Sequence, residues 1–298
     1  MFTPGFSQKK AKNEDPKDIY LYTPKKYSDD VISTLKTTKT VFFYKNESGK
    51  SLDSLKEAIT SAWDLTPIIF DTYFNIEKYY SGTEYSYFVI EGGKTHYSVQ
   101  KLPGPEGYPG SKIVNATHFY LVLRLPFEGG LSRIELYPDS KTLLADYDKR
   151  EVYYKGSFYN WSPVFLKAHL EVLSTNLKNN TRIGLFDDKK SDSLKELLSS
   201  DTLYISASDF LKFNIFSGKE SVKSSKLFDE YRFPYRVCTD DELYTIFVTQ
   251  KRGRFLFEYV KSSSWKFITV YDCKNKDILY RKNSNGHNLR GSDLSAIR

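Results

Sequence analysis

The strongest hydrophobic pattern in the chain is helical and lies near its middle. Between Asn160 and Asn180, apolar residues recur at helical spacing, at Val164, Leu166, Leu170, Leu173 and Leu177. Pro163 falls in the first turn, where its missing N–H costs little. His169 shares the apolar face and is therefore predicted to be a core histidine. We predict a long helix here that joins two halves of the chain.

The first half alternates short apolar runs with polar stretches of helical spacing. The apolar runs are rich in β-branched and aromatic residues, which is typical of strands. The predicted strands are Thr40–Tyr44, Pro67–Phe70, Tyr85–Glu91, Thr117–Leu125 and Arg133–Tyr137. The predicted helices are Tyr27–Leu35, Ser51–Trp63 and Tyr73–Tyr80. Leu102–Gly110 holds three Pro and three Gly in nine residues, which indicates an irregular loop.

The second half repeats this order of elements. Its predicted strands are Thr202–Ile205, Pro234–Cys238, Phe255–Val260, Lys266–Tyr271 and Ile278–Arg281. Its predicted helices are Ser221–Tyr231 and Asp240–Gln250, followed by a closing turn or helix over Gly291–Ile297. A short helical turn at Ser193–Leu198 precedes them in the connecting segment. The stretches Ser61–Glu91 and Asp229–Val260 share an aromatic, a following Pro, an apolar run and a later aromatic-rich run. This similarity of pattern predicts an internal duplication.

These elements predict an α/β protein with two small mixed-sheet units of order β-α-β-α-β-β. A strand–helix–strand step within one sheet requires a right-handed parallel crossover, and the terminal hairpin adds antiparallel strands. The order is similar to the thioredoxin-like fold, without the redox cysteines. We divide the chain into a flexible tail or signal-peptide remnant (1–18), a first α/β unit (19–158), a connecting helical segment (159–200) and a second α/β unit (201–298).

Composition supports a β-rich globular protein of 298 residues, because 16% of them are aromatic. The net charge of +7 is spread among 37 acidic residues, which is unlike the basic stripe of a nucleic-acid binder. The densest basic runs are Lys9–Lys12 and Lys251–Arg254. We interpret the first as part of the tail and the second as a solvated turn before a strand. No stretch has the ~18 apolar residues of a membrane helix.

The sequence contains no complete catalytic or cofactor-binding motif. Gly49-Lys50-Ser51 follows a strand, but a P-loop needs a further Gly where Tyr44 stands, and Ser51 suits a helix N-cap. Cys238 and Cys273 form no CxxC motif; both are interpreted as small side chains at strand ends, with a disulfide as an open alternative. We therefore assign no catalytic, cofactor-binding or metal-ligating residue.

One metal site remains as an alternative. Thr95-His96-Tyr97 and Thr117-His118-Phe119 flank the Pro/Gly loop and could face each other across a hairpin. Together with Glu91 or Glu128, the two imidazoles would supply ligands for a transition metal. Ordinary strand histidines explain the same pattern more simply.

The amino terminus predicts export. Phe6-Ser7-Gln8 followed by lysines is similar to the cleavage region of exported proteins in Bacteroidota, so Met1–Ser7 is interpreted as the end of a signal peptide. The alternative is a cytosolic protein with a disordered tail. We expect a periplasmic or secreted protein.

Six short stretches point to the same group of bacteria. They are Tyr22–Pro24, Thr40–Tyr44, Trp63–Asp71, Tyr85–Phe88, Arg133–Tyr137 and Tyr159–Trp161. Together they resemble uncharacterised exported proteins of Bacteroidota, over most of the chain. The resemblance implies compartment and architecture, and it implies no catalytic residue.

We therefore expect a non-enzymatic cell-envelope protein that binds another protein or is a subunit of an envelope assembly, such as an outer-membrane complex. No nucleic acid and no cofactor is expected. The alternative is an enzyme or a small-ligand or metal-binding protein with a site between the two units. An exposed aromatic patch would favour protein binding, and a pocket with converging polar groups would favour the alternative.

Overall fold

The computed structural model describes most of the chain between Lys26 and Ile297. The described residues are 26–45, 50–80, 82–100, 111–125, 130–145, 153, 155–184, 187–214, 217–222, 225–228, 231–262 and 265–297. They form mixed sheets with helices between them, so the predicted α/β class is confirmed. The tail 1–18 and the Pro/Gly stretch Leu102–Gly110 lie outside the described residues.

Five strands build the first sheet. They are β1 (Lys39–Tyr44), β2 (Ile68–Thr72), β3 (Tyr85–Gln100), β4 (Ser111–Arg124) and β5 (Gly130–Glu135). Their order in the sheet is β2-β1-β3-β4-β5. β1 runs parallel to β2 and β3, whereas β4 is antiparallel to β3 and to β5. The predicted hairpin of β4 and β5 is therefore confirmed.

The described helices of the first half are α1 (Asp29–Thr37), α2 (Lys50–Ala62), α3 (Glu77–Tyr80), which follows a 3₁₀ turn (Tyr73–Asn75), and α4 (Ser140–Leu144). Two of them, α1 and α4, begin with a side-chain cap. The Ser28 side chain accepts a hydrogen bond from the backbone N–H of Val31 at the start of α1. Asp139 accepts one from Thr142 at the start of α4. Both caps satisfy N–H groups that a helix start leaves unpaired.

The second half contains a six-stranded sheet and a separate hairpin. The strands are β6 (Lys189–Lys190), β7 (Leu203–Ser206), β8 (Leu211–Asn214), β9 (Lys219–Val222), β10 (Tyr235–Cys238), β11 (Phe255–Lys261), β12 (Trp265–Asp272) and β13 (Asp277–Asn285). The large sheet has the order β10-β7-β11-β12-β13-β6, and β8 pairs only with β9 among the described strands. The helices are α5 (Pro163–Lys178), α6 (Leu194–Ser200), α7 (Asp240–Tyr244), which continues into a π-helical turn (Thr245–Thr249), and α8 (Gly291–Ser295).

The two large sheets share one strand order and one set of directions. β7 is parallel to β10 and β11, β12 is antiparallel to β11, and β13 is antiparallel to β12. The strands β7, β10, β11, β12 and β13 thus repeat the places of β1, β2, β3, β4 and β5. Three statements stay predictions: the common ancestry of the two halves, their likeness to the thioredoxin-like fold, and the domain limits at 158 and 200.

In the first unit, the two crossovers cover opposite faces of the sheet, as right-handed connections require when the chain moves one way and then back. The first crossover is α2, and its Leu55 and Ile59 pack with Phe42 of β1. The second crossover spans residues 73–80, and its Ile76 packs with Phe43 on the other face.

In the second unit, the first crossover places Phe210 and Phe228 in a core with Phe257 of β11. The second crossover, α7 with its π-turn, places Phe247 in another core with Leu256. Because neighbouring strand residues point to opposite faces, Leu256 and Phe257 mark the two sides of this sheet.

The long helix α5 packs against both units, which confirms its predicted role as the joining element. Leu166, Leu170, Leu173 and Leu177 belong to the core beneath α2. Val164, Phe165, Ala168 and Val172 belong to the core beneath α7. Each buried leucine contributes about 2 kcal/mol of hydrophobic free energy. The helix therefore contacts the first crossover of one unit and the second crossover of the other.

One predicted helix is wrong. Instead of a helix over Ser221–Tyr231, the structure has the end of β9 followed by a 3₁₀ turn, Ser225–Phe228. The polar sequence of β9 is extended because it pairs with β8, a partner that local periodicity does not contain. Sequence analysis also missed β6, β8 and α4, which are two to five residues long.

Candidate functional site

A pocket of about 420 Å³ lies between α5 and the second unit. Its wall is built from the first turns of α5, the loop 251–254, Asp201 after α6 and the turn after β12. Val164, Ala168 and Phe247 form an apolar side. Five cationic side chains also line it: Lys167, Lys251, Arg252, Arg254 and Lys274. Small-ligand sites have this size and this mixture of apolar wall and few polar groups.

The loop 251–254 is held tightly against the π-turn. The backbone N–H groups of Arg252 and Gly253 both donate to the carbonyl of Ile246, at N···O distances of 3.0 and 3.4 Å. A Cβ at position 253 would lie 2.7 Å from ring atoms of Phe247, so only glycine fits there. Lys251 adopts a positive φ of 52° to turn the chain. Such π-turns are frequent at functional sites.

Arg254 is the best-oriented cation of the pocket. Its Nη2 donates to Oδ2 of Asp272 at 3.1 Å, and its Nε lies 3.3 Å from the same oxygen. Its guanidinium carbon also lies 4.7 Å from the centroid of the Phe255 ring. Asp272 is fully buried, and it accepts further hydrogen bonds from the backbone N–H groups of Lys274 and Asn275. The carboxylate thereby fixes both the arginine and the turn that carries Lys274.

The other charges of the pocket are unevenly paired. Lys167 forms an ion pair with Glu171 on the same face of α5, and Lys276 Nζ lies 3.9 Å from the same carboxylate. Asp201, the second carboxylate, accepts from the backbone N–H of Thr202 at 2.7 Å. Within the described part of the chain, Lys251, Arg252 and Lys274 have no carboxylate partner. The pocket therefore carries an excess of positive charge.

Cys273 lies in the pocket wall, but its thiol is not activated. Burial raises the pKa of Cys273, and Glu171 raises it further. A thiol of this kind stays protonated near neutral pH and is a poor nucleophile. Cys238 is also free, so the structure contains no disulfide between the two cysteines.

The proposed histidine pair does not assemble. On the β3–β4 ladder, His96 lies opposite Asn115 and His118 lies opposite Gly93, so the two positions are about 10 Å apart along the strands. Glu91 instead binds Arg124, with Nη2 donating to Oε2 at 2.7 Å, and Glu128 lies outside the described residues. Among the described residues, no group of three or more His, Cys, Asp or Glu side chains is arranged to hold a metal ion.

His118 contacts a different carboxylate, Glu135 of β5. Its Nδ1 lies 2.6 Å from Oε1 of Glu135, and both side chains are buried. Burial raises the pKa of Glu135, and the nearby His118 only partly offsets this effect. The second oxygen of this carboxylate, Oε2, has no hydrogen-bond partner among the described residues.

His169 is a core histidine, as predicted, and it lies in a hydrogen-bonded network. Its Nε2 lies 2.9 Å from Oε1 of Glu258, and its Nδ1 lies 3.0 Å from the hydroxyl of Tyr271. Glu258 also accepts from Tyr271 at 2.7 Å and from Asn160 at 2.8 Å. Burial alone would raise the pKa of Glu258, but His169 and these donors hold it below its usual value. The network connects α5 to the second sheet.

A second buried charge, Lys261, fixes the β8–β9 hairpin onto the sheet. Its Nζ lies 2.8 Å from Oε1 of Glu220 and 4.3 Å from the centroid of the Phe213 ring. Burial lowers the pKa of Lys261, and Glu220 opposes this effect. Because the lysine already has a carboxylate and an aromatic partner on the hairpin, we interpret it as structural.

Tyrosines accumulate on the outer face of the first sheet, around the second crossover. The hydroxyl of Tyr79 donates to Asp71 at 2.6 Å, and this hydrogen bond raises the pKa of Tyr79 to about 12. Phe74 is 68% exposed and Tyr80 is 45% exposed. Tyr87 is half-buried, and its ring centroid lies 5.2 Å from that of Tyr80.

Sequence analysis did not identify the pocket, although one signal was visible. Lys251–Arg254 is the basic run that we interpreted as a solvated turn before a strand. The turn is confirmed, since β11 begins at Phe255. However, Arg254 is largely buried, and residues about 80 positions away in sequence complete the site. Contacts between residues so far apart in the chain cannot be predicted from a local sequence pattern.

Comparisons with known proteins identify no relative. No family model matches the chain, and neither the curated proteins nor the solved structures contain a match. No helix in the described ranges is long and apolar enough to cross a membrane.

Proposed function

We propose that this protein binds a small anionic ligand in the pocket beside α5. The observation that supports the proposal most is the set of five cationic side chains around one apolar-walled cavity of about 420 Å³. A small-ligand site was part of the alternative that the sequence left open, but this pocket lies between α5 and the second unit and not between the two units.

Charge arrangement supports an anion over a neutral or cationic ligand. The exposed Lys251, Arg252 and Lys274 have no carboxylate partner within the described ranges, whereas Glu171 is already paired. Like charges that converge on one cavity repel one another, and a bound anion removes this repulsion. The apolar side, formed by Val164, Ala168 and Phe247, supports an organic ligand over a bare ion.

The test uses ring compounds that differ in charge. We expect benzoate and benzenesulfonate to bind in calorimetric titrations and to raise the melting temperature, whereas benzyl alcohol and benzylamine do neither. Arg252→Ala and Lys274→Ala should each weaken binding of the anions by about three- to ten-fold, since each removes a charge-assisted contact.

The matched control is Lys195→Ala, which removes an exposed lysine of α6 outside the pocket. It should leave anion binding unchanged. Equal weakening by Lys195→Ala would mean that the anions bind through overall charge. Failure of every anionic ring compound to bind the wild type would reject the proposed function.

Binding of another protein at the cell envelope remains a second proposal, together with export. Phe74 and Tyr80 favour it, because both are large, exposed and part of the second crossover on the outer face of the first sheet. A photoreactive phenylalanine analogue at position 74 should crosslink one partner in intact cells, and Tyr80→Ser should abolish the adduct. The control position is Leu144, which is 62% exposed. Equal adducts from both positions would contradict this second proposal.

A further inference from the structure

We propose that the anionic group taken by the pocket is the dianionic phosphoryl group of a phosphomonoester, with Arg254 as its anchor. The proposal rests on the proposed function and specifies its ligand class. It depends on three features of the pocket: its unpaired charge, the orientation of Arg254 and the apolar side.

Charge sets the first condition. Five cations and two carboxylates line the pocket, and one carboxylate, Glu171, is occupied by Lys167. Arg254 is likewise paired with Asp272, so three cations have no carboxylate partner among the described residues: Lys251, Arg252 and Lys274. A singly charged carboxylate or sulfonate would neutralise one of these three. A phosphomonoester carries about two negative charges at neutral pH and three acceptor oxygens, so it can contact several cations at once.

Arg254 sets the second condition, because its guanidinium is already oriented. Nε and Nη2 face Asp272, while Nη1 makes no hydrogen bond within the described part of the chain. Asp272 is itself fixed by the backbone N–H groups of Lys274 and Asn275 and by the Asn275 side chain at 2.9 Å. An arginine held in this way loses little side-chain entropy on binding, and its planar donors match phosphate oxygens.

The loop that carries the remaining cations is equally constrained. Lys251 and Arg252 lie between the π-turn and Gly253, where a Cβ would lie 2.7 Å from the Phe247 ring. The backbone N–H of Cys273 donates to the carbonyl of Arg254 at 2.8 Å, which joins this loop to the turn with Lys274. Cations from two segments are thus held at one cavity before a ligand arrives.

The apolar side sets the third condition. Val164, Ala168 and Phe247 offer contact to a ring or a short hydrocarbon, which inorganic phosphate lacks. The cavity has room for such a group, since ligand pockets start at about 300 Å³. The ligand is therefore a phosphorylated organic molecule of small size.

The test compares phenyl phosphate with benzenesulfonate, which has the same ring and a single negative charge. At pH 7.5 we expect phenyl phosphate to bind the intact protein at least about ten-fold more tightly, because it presents a second charge to the cations. At pH 5 the ratio should approach one, since the second pKa of the ester is about 6.

Binding of benzenesulfonate, measured at the same two pH values, is the control for titration of groups on the protein. The titratable groups that line the pocket are Glu171, Asp201, Cys273 and the cationic side chains, and a change in any of them alters binding of both probes. A ratio that does not change with pH would overturn the dianion assignment. Inorganic phosphate that binds as tightly as phenyl phosphate would overturn the assignment of an organic ester.

Two variants test the anchor. Arg254→Lys keeps the charge and removes the planar donors, so phenyl phosphate should bind about ten-fold more weakly while benzenesulfonate changes less. Arg254 also neutralises the buried Asp272, and the variant is scored only after its melting curve shows a folded protein. Lys274→Gln, on an exposed side chain, should lower the phosphate-to-sulfonate ratio independently of folding, and Lys195→Gln should not. An unchanged ratio in Lys274→Gln counts against the proposal.

The two levels of the proposal fail differently. Binding of benzoate and benzenesulfonate without any preference for phenyl phosphate would overturn the ligand class and leave the anion-binding function standing. Absence of binding by every anionic probe would overturn both.

Discussion

The two large sheets have the same strand order, yet they present opposite faces to the helix between them. α5 packs on the first crossover of the first unit, where Leu170 joins Leu55 and Phe42. On its other side it packs on the second crossover of the second unit, where Val172 joins Phe247 and Leu256. A repeated topology therefore does not produce a repeated environment, and only one of the two contacts of α5 contains the basic pocket.

The difference extends to the faces that α5 leaves uncovered. The outer face of the second sheet is closed by α6, α8 and the first crossover, with Leu198, Phe228 and Leu294 in one core. The outer face of the first sheet is covered mainly by residues 73–80, and Phe74 and Tyr80 stay exposed. The elements that pack on a sheet face thus decide whether the aromatic residues on that face are buried in a core or exposed at the surface.

The largest expected effect comes from truncating α5 on its two sides. Leu170→Ala should destabilise the protein by about 4 kcal/mol, because it leaves a cavity under α2. Val172→Ala, on the opposite side, should cost about 2 kcal/mol since less volume is removed. If α5 couples the units, calorimetry will show one transition that both variants lower. Two transitions, each lowered by one variant only, would contradict that coupling.

The next largest effect is a difference in the loss of stability when the glutamate of each buried His–Glu pair is replaced. Glu258→Gln should cost about 3 kcal/mol at pH 7, because His169, Tyr271 and Asn160 all depend on this carboxylate. Glu135→Gln should cost less than about 1 kcal/mol, since only one of its oxygens is hydrogen-bonded among the described residues. Urea unfolding measures both, and equal losses would mean that the number of hydrogen bonds does not decide the difference.

The same two glutamates should depend on pH with opposite signs. The pKa of Glu258 is lowered by folding, so its stabilisation is complete above the unfolded pKa and is lost as pH falls through the folded pKa. The pKa of Glu135 is raised, so stability is greatest below the unfolded pKa and is lost as pH rises through the folded pKa. Relative to wild type, Glu135→Gln should gain stability as the pH rises above 4.5, the ordinary pKa of a glutamate. Unfolding curves over this range check the sign.

The smallest expected effect concerns the N-cap of α7, the helix of the second unit that packs against α5. Thr239 caps α7 by accepting from the backbone N–H of Glu242, and the Glu242 side chain accepts from the backbone N–H of Thr239. Thr239→Ala should cost about 1 kcal/mol. Ser28→Ala, at the start of α1, is the matched cap outside this contact and should cost a similar amount. Only Thr239→Ala should also weaken anion binding, because α7 continues into the π-turn of the pocket.

Elements whose causes are local could be predicted from the amino-acid sequence. The apolar periodicity of Asn160–Asn180 gave α5, and the β-branched and aromatic runs gave strands such as Thr40–Tyr44 and Phe255–Val260. The alternation of these elements predicted two mixed sheets, since parallel steps need crossovers and hairpins do not. The closely spaced cationic residues of Lys251–Arg254 also predicted a basic turn.

The places where these elements meet depend on contacts between distant parts of the chain, and they became visible only in the folded protein. The polar strand β9 is extended because of its partner β8, and neither periodicity nor propensity contains that partner. The three-residue offset between His96 and His118 follows from the register of a hairpin, which the sequence left open. The pocket likewise depends on Lys167, Arg254 and Lys274, which are far apart in the chain. Residue patterns report local conformation, whereas a site depends on packing between distant segments, and packing has no local signature.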